Sequence, residues 1–268
     1  VAAHHETHRT IATRARTPVL RPELVVFRPV VDAADGRIVA LEAVAPADAE
    51  PGASPGVRAP STALLEPACH HLAAWNAMLG HHRLRVLVAV GVAELDDPQL
   101  PVRVDRVLAR YRLSPGQLTL EIDDGALPDR SAAALDALHR LRHLGVRLGL
   151  GGLGSGYATL AWLSGAPLDT VRIDRELVAD IDHDPARCRL LRGVLALTQH
   201  LGLRSVADGV ERTGQLLELR RLGCDLVLGH LVAGPATAAE LTPVVLAQQP
   251  LLPRGLLVPA VPTRERDH

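Results

Sequence analysis

The sequence predicts an α/β protein whose strands close into a (β/α)8 TIM-like barrel that opens with a β-hairpin. Two observations carry that reading. Strand-like and helix-like apolar periods alternate over roughly 220 residues, as successive βα units require, and eight runs of the strand type can be counted. A third observation sets the scale: 268 residues with 47% apolar content suffice for one large barrel core.

The elements follow in order. LVVFRPVVD (24–32) and RIVALEAV (37–44) read as two strands joined by the turn signal AADG. STALLEPACHHLAAWNAML (61–79) has helical periodicity, with Ser61 placed to cap its N-terminus. RVLVAVGV (85–92) is a strand, LPVRVDRVLARY (100–111) a helix and LTLEI (118–122) a strand. SAAALDALHRLRHLG (131–145) is a helix stopped by Gly145, and RLGL (147–150) is the next strand. The short helix ATLAWLS (158–164), strand TVRID (170–174) and helix ARCRLLRGVLALTQHLG (186–202) continue the alternation. RSVAD (204–208), GQLLELRRLG (214–223), LVLGHLV (226–232) and TAAELTPVVLAQ (237–248) complete it. The barrel is therefore expected within residues 21–250, after an extension or linker at 1–20. The Pro-rich stretches 47–61 and 251–268 are expected to be irregular.

Composition excludes several classes of partner. The 29 basic residues, all arginine, nearly cancel 30 acidic ones, so no overall field favours nucleic acid or an anionic membrane. Aromatic residues are only 2%, which leaves few platforms for stacking bases. No stretch approaches the ~18 apolar residues of a membrane span, and VAAHHETHRT has no apolar core for a signal peptide. Cys69, Cys188 and Cys224 are odd in number and sit in apolar contexts, pointing to buried reduced thiols and a cytoplasmic setting. His139 and His143 share a helix face at a metal-compatible spacing, but no third ligand is near in sequence, so they are expected to be surface residues.

In a barrel of this kind chemistry gathers where strands end. Those ends offer Glu42; Ala89 and Gly91; Glu121 with Asp123 and Asp124; Gly151 and Gly152; Arg172 and Asp174; Asp208 and Glu211; Leu228 and His230. Within LGLGGLGSGYATL the residues Gly149, Gly151 and Gly154 imitate a dinucleotide-binding G-x-G-x-x-G. A true fingerprint lies in an early βαβ unit and feeds a full helix, whereas this one is in mid-chain before a short segment.

Ordered segments resemble the EAL domain family, bacterial phosphodiesterases that hydrolyse cyclic di-GMP. Glu42-Ala43-Val44 occupies the place of the name-giving triplet. EPACHHLAAWN, VLVAVGVAELDDPQL, LTLEIDD, LGLGGLGSGYATL, PLDTVRIDRELV, SVADGVERTGQ and LGCDLVLGHLVAGP are similar to successive family motifs over roughly residues 24–236. The resemblance implies an EAL-type barrel and a pair of divalent cations held by oxygen ligands. It places Glu42, Glu121 and Asp208 at ligand positions, the last in place of glutamate, and Glu211 at the second acid of its motif.

The same resemblance exposes losses. Ala89 stands at an asparagine ligand, Gly151 and Gly152 at two aspartates, Leu228 at a glutamine, and Arg172 at the catalytic lysine. Alanine, glycine and leucine supply no side-chain oxygen, and an arginine does not exchange a proton near neutrality. Arg28 replaces a glutamine and Pro46 an arginine of the substrate clamp. The expectation is a degenerate EAL domain, with no intact catalytic or metal set, Glu211 and Arg172 vestigial for catalysis, and Glu42, Glu121 and Asp208 vestigial for metal. At most one loosely held Mg²⁺ or Mn²⁺ is expected as cofactor. A second role stays open for the three acids, as turn caps or arginine partners at the barrel rim.

Three functions follow. One is a regulatory or protein-interaction module in cyclic di-GMP-related signalling. The others are a receptor that binds cyclic di-GMP weakly through Arg28, Glu42 and Asp174 without cleaving it, and a residual metal-dependent phosphodiesterase. The expected protein partner is a second copy or another signalling protein, met through GSGYATLAWLSGAPLDTV with Tyr157 and Trp162.

Overall fold

The computed structural model describes residues 25–46, 61–80, 84–122, 132–154, 163 and 165–253. Eight strands form the barrel wall: β1 (Val26–Asp32), β2 (Ile38–Val44), β3 (Arg85–Val90), β4 (Leu118–Ile122), β5 (Arg147–Leu153), β6 (Thr170–Ile173), β7 (Arg204–Ala207) and β8 (Leu226–Val227). Strands β2 to β8 pair in parallel sequence, and β1 closes the ring by pairing with both β2 and β8. The β-hairpin makes β1 antiparallel to both neighbours, so the sheet is not uniformly parallel as βα alternation alone implies. A two-residue strand, β9 (Ala236–Thr237), pairs with the start of β1.

The helices among the described residues include α1 (Ser61–Leu79), α2 (Val92–Leu95), α3 (Leu100–Tyr111), α4 (Ala132–His143), α5 (Arg175–Val178), α6 (Pro185–His200), α7 (Thr213–Arg221) and α8 (Ala238–Ala247). Ser61 is the first residue of α1 rather than the position before it. The hairpin turn forms because the Asp32 carboxylate accepts from the Ala34 N–H at 2.8 Å, a local alternative to ladder bonding. Asp184 caps α6 by accepting from the Ala186 N–H, and Thr237 caps α8 with Glu240 reaching back to complete a capping box.

Alternation along the strands divides the core. Val86 and Val88 of β3 and Leu148 and Leu150 of β5 face outward into the apolar layer beneath the helices. Trp75 anchors that layer, packed edge-to-face on Phe27 with ring centroids 5.1 Å apart, and its indole N–H donates to the Thr242 hydroxyl at 2.9 Å. Around β6, β7 and β8 a second cluster includes Ile173, Leu191, Leu195, Ala207, Leu216 and Val227. Val30, Ala40, Val206, Leu226 and Leu228 fill the barrel interior. Past α8 the chain returns to the hairpin, where Leu252 is buried and the Leu251 N–H donates to the Gly36 carbonyl. Cys69, Cys188 and Cys224 are buried and unpaired with one another, and burial pushes the thiols of Cys69 and Cys224 up to about 12.

Candidate functional site

Parallel strands β2 to β8 all end at the same mouth of the barrel, so residues near their C-terminal ends are brought together from distant parts of the sequence. The registers give the order. Arg28 of β1 lies opposite Glu42 of β2, Ala89 of β3 opposite Glu121 of β4, and Glu121 opposite Gly149 of β5. Arg172 of β6 lies opposite Val206 of β7, and Asp208 follows two residues later at the end of that strand.

Arg172 stands at the centre of the resulting cluster. Its Nε is 2.8 Å from Glu121 Oε1 and 3.0 Å from Oε2, and its Nη1 is 3.1 Å from Glu42 Oε1 and 3.3 Å from Asp208 Oδ2. Arg28 reaches in from β1 as a second guanidinium, with Nη2 2.6 Å from Glu42 Oε2 and 3.4 Å from Asp208 Oδ2. Two guanidinium groups therefore face three carboxylates. Arg172, Glu42 and Glu121 are buried, whereas Arg28 and Asp208 lie at the edge with side chains 22% and 16% exposed.

The charges hold one another in place. Burial alone would lower the Arg172 pKa, but Glu121, Glu42 and Asp208 override it and hold the guanidinium above its usual range. Arg28 is raised in the same way, with burial and the charge of Arg172 opposing Glu42 and Asp208. For Asp208 burial works upward, yet Arg28 and Arg172 prevail and its carboxyl lies below the usual aspartate value. One donor is left over: Arg172 Nη2 is buried with no hydrogen-bond partner.

Gly151, Gly152 and Leu228, at positions that resemble family ligands, add no side-chain oxygen. Gly151 lies against Glu121, where an added Cβ would sit 3.1 Å from Oε1 and 3.3 Å from the Ile122 carbonyl oxygen. Gly152 adopts φ 74°, a left-handed conformation that costs glycine little and most side chains more. Leu228 is buried in the interior cluster with Val30 and Val206. Among the described residues no group of three or more His, Cys, Asp or Glu side chains is arranged to hold a metal ion.

Other candidates lie outside the cluster. Asp174 caps α5, its Oδ1 accepting from the Glu176 N–H at 2.8 Å. The Glu211 carboxylate is about half exposed, 4.0 Å from His230 Nδ1, and forms no ion pair with Arg28 or Arg172. Asp123, Asp124, Tyr157 and Trp162 lie outside the described residues. Gln215 is a structural contributor that residue type alone does not announce. Its Oε1 accepts from the Glu211 and Arg212 N–H groups, both at 2.8 Å, and its Nε2 donates to the carbonyls of Val178 and Ala179. One buried amide thus braces the loop after β7 against the segment after β6. The signal for it was local: an amide three residues after Arg212, at the start of a helix, matches capping-box spacing.

The chain matches the family model described as EAL domain over residues 23–235. It is 33% identical over 270 residues to an uncharacterized signaling protein of Caulobacter vibrioides, covering 96% of this chain and 32% of that protein. It is also 35% identical over 178 residues to cyclic di-GMP phosphodiesterase NbdA of Pseudomonas aeruginosa, covering 66% of this chain and 23% of that one. The chain thus spans about a third or less of the length of these curated relatives. Among solved structures, the EAL domain of Mycobacterium smegmatis DcpA superposes with TM-score 0.75 at 26% identity, over 84% of this chain and 96% of that one. The MucR phosphodiesterase of Pseudomonas aeruginosa in complex with cyclic di-GMP gives 0.71 at 27% identity, over 81% and 93%.

Proposed function

The chain belongs to the EAL domain family of cyclic di-GMP signalling, and from that premise we propose that it is a catalytically degenerate member, acting as a regulatory or protein-interaction module. The observation that carries this reading is the position of Arg172. Its guanidinium lies within 3.3 Å of all three carboxylates that resemble metal ligands, where it supplies positive charge from the chain itself.

The donor set does not fit two divalent cations. A pair of hard cations needs many oxygen ligands at short distance, while Ala89, Gly151, Gly152 and Leu228 contribute no side-chain oxygen. A cation beside Glu121 and Glu42 would also meet the charge of Arg172 at contact range, and that guanidinium cannot deprotonate to make room. An ammonium in that position could be neutralised by losing its proton; a buried guanidinium ion-paired to three partners keeps its charge.

A second reading, a cyclic di-GMP receptor without hydrolysis, is favoured by one observation. Arg172 Nη2 is a buried donor without a partner, and Arg28 is partly exposed at the same mouth. Such a donor costs free energy until an acceptor reaches it. Self-association or a heterologous contact through residues 154–171 fits either reading, and sedimentation of the wild type against Trp162→Ala tests it.

The deciding experiment is a titration of cyclic di-GMP with and without Mg²⁺ or Mn²⁺, followed both by binding heat and by appearance of the linear product. No product under any condition supports the degenerate module. Heat without product selects the receptor, and EDTA-sensitive turnover overturns both.

A further inference from the structure

The opposite mouth of the barrel, where the parallel strands begin, carries a charge arrangement unlike the first. Arg85 is the first residue of β3, Arg147 of β5 and Arg204 of β7. In register they face Ala40 of β2, Thr119 of β4 and Thr170 of β6, respectively. Alternation sets their direction. The following residues Val86 and Leu148 point into the outer core, and Arg204 shares its face with Val206, which lies in the interior cluster. Three arginines from alternate strands therefore form one layer at the strand starts, as side chains in such barrels do. The apolar interior of Val30, Ala40, Val206, Leu226 and Leu228 lies between them and the Arg172 cluster.

The acids at this end are already committed elsewhere. Asp169 takes Arg142 at 2.6 Å on both oxygens and accepts from the Leu148 N–H. Asp225 accepts from the Ser205 N–H and hydroxyl, each at 2.9 Å, and Asp32 is folded back on its own turn. Among the described residues no carboxylate forms an ion pair with Arg85, Arg147 or Arg204, and the one side-chain bond of the three runs from Arg147 Nε to the Gly116 carbonyl at 3.2 Å. All three side chains are half-buried. Burial, then the charges of Arg147 and Arg204, bring Arg85 down to about 10 against the opposing pull of Asp169. Three like charges held together without an ion-paired carboxylate cost free energy, and planar guanidinium forks converge well on a tetrahedral oxyanion.

We propose that Arg85, Arg147 and Arg204 form a second ligand site, separate from the cluster around Arg172, that binds a phosphate-type oxyanion at the N-terminal mouth of the barrel. The ligand is either inorganic phosphate or the terminal phosphate of a monoester.

The test uses the full chain, comparing thermal midpoints in phosphate, in a simple phosphate monoester and in chloride at matched pH and ionic strength. Inorganic phosphate or the monoester should raise the wild-type midpoint by a few degrees over chloride, and the arm with the larger shift identifies the source. Arg85→Gln should raise the midpoint in chloride, because repulsion is relieved, and lose most of the phosphate-dependent shift. Arg204→Gln provides the same comparison should the first variant fold poorly. A wild-type midpoint indifferent to phosphate overturns the proposal, as does a phosphate shift that survives in both variants.

Discussion

Arg172 on β6 and Glu121 on β4 form a buried ion pair, with Nε lying 2.8 and 3.0 Å from the two carboxylate oxygens. This pair is the hinge of the site, because Glu42 and Asp208 are gathered by the same guanidinium through Nη1. Desolvating so many charges is expensive, and mutual attraction returns the cost only while every partner is present.

Removing the central cation should therefore be severe. Arg172→Met takes the guanidinium from Glu121 and removes one of the two guanidinium ion pairs of Glu42 and Asp208, so a loss of about 3–5 kcal/mol of folding stability is expected. Urea unfolding followed by circular dichroism measures it. A loss under about 1 kcal/mol, the range of exposed pairs, would show that the cluster is far wetter than its burial implies.

The same logic makes a cation response appear on mutation. In the wild type, Mg²⁺ or Mn²⁺ should leave the thermal midpoint unchanged. Arg172→Ala takes the central guanidinium away from three carboxylates and vacates its volume, and one divalent cation can then occupy that place beside Arg28. If it binds, stabilisation grows with concentration and reaches about 2.7 kcal/mol at a hundredfold excess over its dissociation constant. A Mn²⁺-dependent shift in the wild type equal to that in Arg172→Ala would contradict the assignment of Arg172 as the resident cation.

Much of this was legible in residue types and their periods. The strands of the barrel wall stand out as short apolar runs, such as Val86 to Val90 and Leu148 to Leu150, between helical periods, and that Gly151, Gly152 and Leu228 carry no side-chain oxygen needs no coordinates. What Arg28 does was not legible. A long side chain at the start of a strand can turn to solvent or across the mouth, and only closure of β1 between β2 and β8 aims it at Glu42 and Asp208. Glu211 shares a motif with Asp208, but it lies past the strand end, where its carboxylate is about half exposed and 4.0 Å from His230 Nδ1. Elements of two to four residues, β9 and α2, are too short for either period to register.

Gln215 offers a test of the brace between loops. Gln215→Leu removes an acceptor from the Glu211 and Arg212 N–H groups and a donor from the Val178 and Ala179 carbonyls. Leaving buried backbone groups unpaired costs about 1–3 kcal/mol. Hydrogen exchange should show faster exchange at Glu211 and Arg212 specifically, with the protection of β3 and β4 unchanged. Uniform loss of protection across the barrel would assign Gln215 to global stability instead.

The last expectation concerns acid. Asp208 has a folded-state pKa below its unfolded value, because Arg28 and Arg172 outweigh burial. For a depressed carboxyl the stabilisation is fully present above the unfolded value, about 3.9, and is lost as pH falls through the lower folded value. Stability should accordingly drop below about pH 4, as the unfolded chain takes up this proton before the folded one does. Asp208→Asn keeps the shape but removes the titration, so it should be less stable than the wild type at pH 7 and approach it at the acid end. Glu42 and Glu121 remain in both proteins, and the difference between the two curves isolates Asp208. Parallel curves from pH 7 down to the lowest pH at which both proteins fold would mean that Asp208 does not share its charge with the two arginines in solution.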